Sequence, residues 1–303
     1  MSKVHFFSQG SALVGELHLP RATTGRVPAI VVAGSWLTVK EQMCAQYAPR
    51  LAAQGFAALS FDFRGFGASE GAPREVESPW SKAEDLLNAA AFLRTLPGID
   101  PDRIGMLGIC ASAGYASLAL AAGAPYASAA FVAPWFHDAG MVRELYGGDE
   151  AVQQRLEAAR AARAKYAQTG VVDYVPAASN SDASAAMYMP GDLLDYYLNP
   201  ERGRIASWGG RFATMAWTEW LTFDPIALAP RLTTPIRLVT SEQSATPAGA
   251  RRFDAALGAE HDSIWMQGTQ FDFYDQPAVV AAAAKHAVEH FQRTLKSRTE
   301  VSK

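Results

Sequence analysis

DPDRIGMLGICASAGYA, residues 100–116, decides how this chain folds. Residues 103–107 form a short apolar run suited to a buried strand, and residues 111–122 read as a small-residue helix. Only a sharp turn at Cys110 fits between them. Gly108 and Ser112, two positions to either side, are small, as a strained backbone packed between strand and helix requires. A thiol at that point sits at a helix N-terminus, whose partial positive charge favours thiolate, so the placement predicts a lowered pKa and an activated nucleophile. Two other readings stay open: Cys110 as a buried structural thiol, and a register shifted by two residues in which Ser112 attacks. Cys44, on a predicted helix, reads as packing.

Outward from this stretch, short apolar runs alternate with longer amphipathic ones, the pattern of βαβ units around a parallel sheet. Strands are predicted over residues 4–7 and 12–19, the latter with apolar Leu13, Leu17 and Leu19, then 29–33, 57–61, 103–107 and 127–133. Helices are predicted over 41–54, stopped at Gly55, over 81–96, stopped by Pro97-Gly98, and over 111–122. The alternation lapses from residue 139 to about 223, where a charged helix (150–168), a polar turn-rich stretch (179–184) and aromatic-rich helical segments stand without a convincing buried strand. It resumes with a strand at 236–240, a helix at 247–257, a strand at 263–266 and a long helix at 277–295. The tail SRTEVSK reads as a frayed end.

Composition narrows the function. Of 303 residues, 49% are hydrophobic and 19% charged, with a mean hydropathy of -0.03, which supplies one large core or two modest ones and excludes a disordered or fibrous chain. A net charge of -3 with no block of like charge argues against a nucleic-acid partner. Two cysteines make no disulfide framework. MSKVHFFSQG lacks the features of a secretory signal, and no run approaches the roughly 18 apolar residues of a spanning helix, so a cytoplasmic protein off the membrane is expected.

Three local signatures together resemble the α/β-hydrolase superfamily. DFRGFGASEG, residues 62–71, is similar to the D-x-R-G-x-G-x-S loop that follows the fourth strand of that fold. Gly108-Ile109-Cys110-Ala111-Ser112 resembles its nucleophile elbow, G-x-Nu-x-G, with cysteine as in dienelactone hydrolases. GTQFDFYD, residues 268–275, stands where the family carries its histidine in a pattern like G-x-x-H-x-x-x-Y, and the histidine position is Gln270. The resemblance implies an eight-stranded, mostly parallel sheet flanked by helices. Residues 1–138 and 226–303 would form the core, and 139–225 a helical cap between strands six and seven. It further implies an oxyanion hole from the backbone N–H of Ala111 and of Trp36 or Leu37, in a loop where Gly34-Ser35-Trp36 replaces the family's usual His-Gly.

A base for Cys110 is the difficulty, because Gln270 can hydrogen-bond but cannot take a proton. Among six histidines, His137 in APWFHD has the favourable position, at the carboxyl end of the strand beside the elbow. Asp138 follows it and would serve as a base if desolvated under the cap. His137 equally reads as a capping or hinge residue. Glu242 in TSEQSA is the carboxylate after the seventh strand, and Asp272 and Asp275 flank Gln270, where they could instead anchor the loop through backbone N–H groups. His286-Ala287-Val288-Glu289-His290 matches H-x-x-E-H, a zinc pattern, yet Val280, Ala284, Ala287, Val288, Phe291 and Leu295 form an ordinary amphipathic stripe, and no metal or cofactor is expected. Arg155, Arg160, Arg163 and Lys165 read as a solvated helix face.

The expected function is a cysteine-dependent hydrolase or acyl-transfer enzyme for a small ester, lactone or thioester, through a covalent Cys110 intermediate. Tyr188, Tyr196, Tyr197, Trp208, Phe212, Trp217 and Trp220 point to an apolar or aromatic small-molecule substrate, or form the cap's own core. A lyase, cyclase or decarboxylating enzyme on the same scaffold, and a catalytically dead binding module, are the alternatives. Homo-oligomerisation stays open.

Overall fold

The predicted alternation of strands and helices closes into one eight-stranded sheet in the computed structural model, which describes residues 1–21 and 25–296. Its strands are β1 (Ser2–Ser8), β2 (Ser11–His18), β3 (Val27–Ala33), β4 (Ala57–Phe61), β5 (Ile99–Ile109), β6 (Ser128–Val132), β7 (Ile236–Thr240) and β8 (His261–Trp265). They lie in the order β1-β2-β4-β3-β5-β6-β7-β8. The β1–β2 and β2–β4 pairings are antiparallel, and every pairing from β4 to β8 is parallel. The inner parallel strands β3, β4 and β6 are buried on both faces, which is why AIVVA and AALSF carry almost no polar residue. The tail SRTEVSK lies outside the described residues.

Helices α1 (Cys44–Ala53) and α8 (Pro277–Thr294) pack together against the sheet, and α2 (Pro79–Thr95) packs with α3 (Ala111–Ala121) against β5. β5 is longer than its apolar run suggests, because Ile99 already pairs with Val27 before a bulge shifts the register. Helix α1 starts at Cys44 rather than at residue 41, the preceding residues being spent on turns.

Between β6 and β7 the chain forms α4 (Ala139–Leu145), α5 (Gly148–Thr169), α6 (Asp195–Leu198) and α7 (Trp217–Thr222). It also holds two short ladders that the sequence does not announce: Tyr174–Pro176 with Arg211–Ala213, and Ala178–Ser179 with Met187–Tyr188. Phe212, Trp217 and Trp220 are buried in the same hydrophobic cluster as the sheet, so the insert shares the main core. The α5 basic face is only partly solvated. Arg155 packs over the rings of Tyr146 and Trp217, while Arg163 pairs with Glu219.

Within α8, His290 is fully buried against the Pro235 carbonyl and Arg293, and His286 pairs with Glu289. Among the described residues no group of three His, Cys, Asp or Glu side chains is arranged to hold a metal, and no helix is long and apolar enough to cross a membrane.

Candidate functional site

Strand β5 ends at Ile109, and Cys110 turns the chain with φ +56° and ψ -118° before α3 begins at Ala111. A non-glycine residue at positive φ costs on the order of 1–3 kcal/mol and persists only where its surroundings impose it. Here they do. Cys110 N–H donates to Val132 O (3.0 Å), while its carbonyl accepts from Ala113 N (3.1 Å) and Trp135 N (3.0 Å). A Cβ at Gly108 would sit 3.0 Å from Ala113 N and Ser112 O, so the turn needs glycine there. Ser112 is fully buried inside α3 and donates its hydroxyl to Gly34 O, which removes it as an attacking group and leaves Cys110 alone at the apex.

Four hydrogen-bond donors favour the Cys110 thiolate: the hydroxyls of Ser35 and Tyr274, and the backbone N–H groups of Ala111 and Trp36. The sulfur is nevertheless buried, and burial outweighs them, so the thiol pKa is pushed above its usual value. The lowering expected from the helix N-terminus is thus overturned, because closure of the insert over the elbow removes the water that would stabilise charge.

The loop after β3 is locked by two buried carboxylates. Asp62, the first residue of DFRGFGASEG, accepts from Lys40 N (2.8 Å), Lys40 Nζ (2.8 Å) and Ala68 N (2.9 Å). A Cβ at Gly67 would lie 2.4 Å from the Asp62 carboxylate, so this motif glycine makes room for it. Glu77, fully buried, accepts from Leu37 N (2.8 Å), Tyr115 OH (2.5 Å) and Lys82 Nζ (2.6 Å). Leu37 is held at φ +61°. Its N–H is spent on Glu77, whereas that of Trp36 favours the Cys110 thiolate, which separates the two oxyanion candidates. Trp36 is also a wall: its indole packs on Phe212, Trp217 and Trp220, with ring centroids 5.2, 6.0 and 5.1 Å away.

Gln270 lies on the same side of the site, its amide fully committed. Oε1 accepts from Ala245 N (2.8 Å), and Nε2 donates to Ala133 O (3.0 Å) and to Tyr274 OH (3.1 Å). Through Tyr274 it reaches the Cys110 environment, since that hydroxyl also lies 3.1 Å from Ser35 Oγ, to which Tyr197 OH donates at 3.3 Å. Burial holds the Tyr274 phenol well above its ordinary pKa. It stays neutral and can both accept and donate.

The two residues expected to supply acid–base chemistry are engaged elsewhere. His137 is buried, its Nδ1 accepting from Trp135 Nε1 (2.8 Å) and its Nε2 facing Trp220 O (3.3 Å). A carbonyl can only accept, so Nε2 carries the proton and no lone pair is left for one from Cys110. Burial pushes its pKa down to about 4. Asp138 caps α4 through Met141 N (3.0 Å) and pairs with Arg252. What burial it has would raise its pKa, but the Met141 and Arg252 hydrogen bonds outweigh this and hold it below the usual carboxylate range, the reverse of a desolvated base. Glu242 is exposed and pairs with Arg251. Asp272 accepts from Thr269 N (2.7 Å), anchoring the loop, and Asp275 pairs with Arg202 through both oxygens (2.7 Å each).

Three site groups escaped the sequence reading, Ser35, Glu77 and Tyr274, and Tyr197 was expected only as an aromatic of the insert. Tyr274 was within reach, for it lies four residues beyond Gln270, the spacing of histidine to tyrosine in the H-x-x-x-Y part of the pattern. Of the aromatic residues expected to meet substrate, Trp208 donates to Leu37 O (2.8 Å) and so ties the insert to the oxyanion loop, while Tyr188 is exposed.

A mostly parallel eight-stranded sheet with a strained elbow at the carboxyl end of its central strand is the α/β-hydrolase fold. The model of the X-Pro dipeptidyl-peptidase (S15) family matches residues 9–186, more than half of the chain, and the chain belongs to that family. The match covers the elbow and oxyanion loop and stops before Gln270. The crystal structure of PA2218 from Pseudomonas aeruginosa is similar over 97% of this chain and 93% of that one, with a TM-score of 0.82 and 26% identity. In sequence, PA2218 is 34% identical over 203 residues, 65% of this chain and only 54% of that protein. YcjY of Escherichia coli is 27% identical over 285 residues, 90% of each chain. The thiohydrolase aneE of Aspergillus aculeatus is 39% identical over 112 residues, 37% of this chain and 34% of that protein.

Proposed function

We propose that this protein is a cysteine-dependent acyl-processing enzyme acting on a small ester, lactone or thioester. The observation that carries the reading is a thiol buried at a strained elbow between strand and helix, with Ala111 N–H, Trp36 N–H and the Ser35 and Tyr274 hydroxyls favouring its ionised form. Sγ attacks the carbonyl carbon, and the oxyanion is received by the two backbone N–H groups, preorganised in a site shielded from water. The thiol proton passes to the Tyr274 oxygen while the Tyr274 hydroxyl proton passes to the leaving group. The carbon–heteroatom bond breaks, leaving a thioester on Cys110. Gln270 holds the Tyr274 oxygen in place. Deacylation reverses the relay, with water or another nucleophile adding to the thioester and its proton returning to sulfur. The thiohydrolase name of the aneE relative is consistent with this chemistry.

A second reading, in which the acyl group goes to an acceptor other than water or rearranges without hydrolysis, is favoured by Gln270. With its amide bound on both ends and no proton-accepting imidazole beside Cys110 among the described residues, nothing activates water strongly. Turnover of p-nitrophenyl and thiophenyl esters in ¹⁸O-labelled water separates the two, because only hydrolysis places one solvent oxygen in the acid product. Turnover that survives in Cys110→Ala overturns both readings. A dead binding module would leave Cys110 unacylated by every such ester.

A further inference from the structure

Trp36 Nε1 and Ser60 Oγ are, among the described residues, the two buried side-chain polar atoms with no hydrogen-bond partner. Ser60 lies within β4, flanked by β2 and β3 in the sheet interior. Trp36 is different, because it stands in the oxyanion loop. Its own backbone N–H favours the Cys110 thiolate, so the residue stands beside the sulfur. The side chain is 5% exposed, and the rings packed on it all belong to the insert over the elbow: Phe212, Trp217 and Trp220. Neighbouring indoles of the same region have acceptors. Trp220 donates to Tyr146 OH, Trp135 to His137 Nδ1 and Trp208 to Leu37 O. A buried donor left open where its neighbours are satisfied calls for an explanation, and one standing beside a reactive group finds it in a ligand acceptor.

We infer that Trp36 Nε1 is a specificity donor for the acyl group carried on Cys110, and that this group is an apolar or aromatic chain bearing a keto or hydroxyl oxygen a few bonds from the reacting carbonyl. The inference rests on the Cys110 reading above. The aromatic wall fits the hydrocarbon part of the chain, and the indole N–H fits one neutral oxygen. A carboxylate or phosphate would meet no free cation here, because Lys40 and Lys82 are paired with Asp62 and Glu77, and Arg155, over Trp217, donates to the Tyr146 and Ala151 carbonyls. A site built to hydrogen-bond a substrate oxygen rejects the analogue that lacks it far more strongly than an apolar pocket rejects a missing methylene.

The test compares kcat/KM for p-nitrophenyl pentanoate with its 3-oxo and 4-oxo forms, each divided by its rate of hydrolysis by hydroxide. The natural chain should favour one oxo ester by about ten- to a hundredfold, and Trp36→Phe should bring that ratio close to one. Taking the ratio within each protein cancels any effect of the substitution on the oxyanion loop. No oxo preference in the natural chain, the result for an indole served only by solvent, overturns the inference, as does a preference that survives Trp36→Phe. If Trp36→Phe fails to fold, the ¹⁵N–¹H indole resonance of Trp36 in the natural chain decides. It should move on acylation by the favoured oxo ester and hold still with pentanoate. Cys110-dependent turnover with a ratio of one removes this inference alone. If no ester acylates Cys110, the catalytic reading falls, and titration of neutral 4-oxopentanamide against the same resonance still tests the donor, an unmoved resonance overturning it.

Discussion

Glu77→Gln is the substitution whose cost the structure sets most clearly. It keeps the side-chain shape and an acceptor for Leu37 N–H but removes the charge that faces Lys82 Nζ at 2.6 Å, in a place where both residues are almost wholly buried. Breaking a buried pair by removing one partner costs about 3–5 kcal/mol, because the other charge is left uncompensated. Two features here reduce that cost. Lys82 lies over the rings of Phe63, Phe66 and Tyr115 at 4.8, 4.4 and 5.2 Å, and burial already lowers its pKa, so it can shed its proton. A loss of about 3 kcal/mol in urea unfolding at pH 7 is therefore expected for Glu77→Gln. Lys82→Met should cost a similar amount by stranding Glu77. The double variant removes both charges, so its loss should fall short of the sum by about 2 kcal/mol or more. Losses that simply add would refute the claim that these two charges form one unit beneath the oxyanion loop. Because Leu37 is held at positive φ by the same carboxylate, Glu77→Ala should also lower kcat more than it raises KM.

Three further outcomes are expected. Gln270→His, which offers a proton acceptor beside Tyr274, should raise hydrolysis of p-nitrophenyl acetate by about tenfold, short of the 10²–10⁴ that a fully oriented base contributes; an unchanged rate would count against the placement of Gln270. His137 and His290 are buried neutral, each with its pKa lowered by burial to about 4, so folding loses stability as the pH falls from 6.5 toward 4, by up to about 1.4 kcal/mol per pH unit for each. Urea midpoints across that range should fall steeply, and His290→Gln should flatten the slope; a flat profile in the natural chain contradicts the assignment. Gly249→Ala would place a Cβ 2.0 Å from the backbone carbonyl of Phe136, which cannot swing aside, and should cost about 1–3 kcal/mol. A melting temperature within a degree of the natural chain's would show that the two segments are not packed as described.

Much of the fold was legible because its signals are local. Buried strands such as AIVVA and AALSF, the glycine at 108 and the Asp62–Gly67 contact act within a few residues, and their spacing alone fixes the geometry. The site was legible only where the backbone does the work, at Cys110, Ala111 and Trp36. What the sequence hid comes from distant segments. The Cys110 pKa goes up rather than down because a helix N-terminus is worth at most about 1–2 kcal/mol, while the burial opposing it is imposed by segments distant in the chain. Glu77 carries no mark in the sequence, because Leu37, Lys82 and Tyr115 meet around it only in the fold. His137 looked catalytic because it follows a strand beside the elbow, but the indole of Trp135 and the carbonyl of Trp220 had already claimed both of its nitrogens.

The central claim, that Cys110 carries the acyl group, is tested most directly by acid-quenching the protein during turnover of an activated ester or thioester and reading its intact mass and peptide map. One acyl group on the peptide containing Cys110, absent from a folded Cys110→Ala variant that has also lost turnover, is the predicted result. An acyl group mapped to another residue, or turnover retained without the thiol, would contradict it.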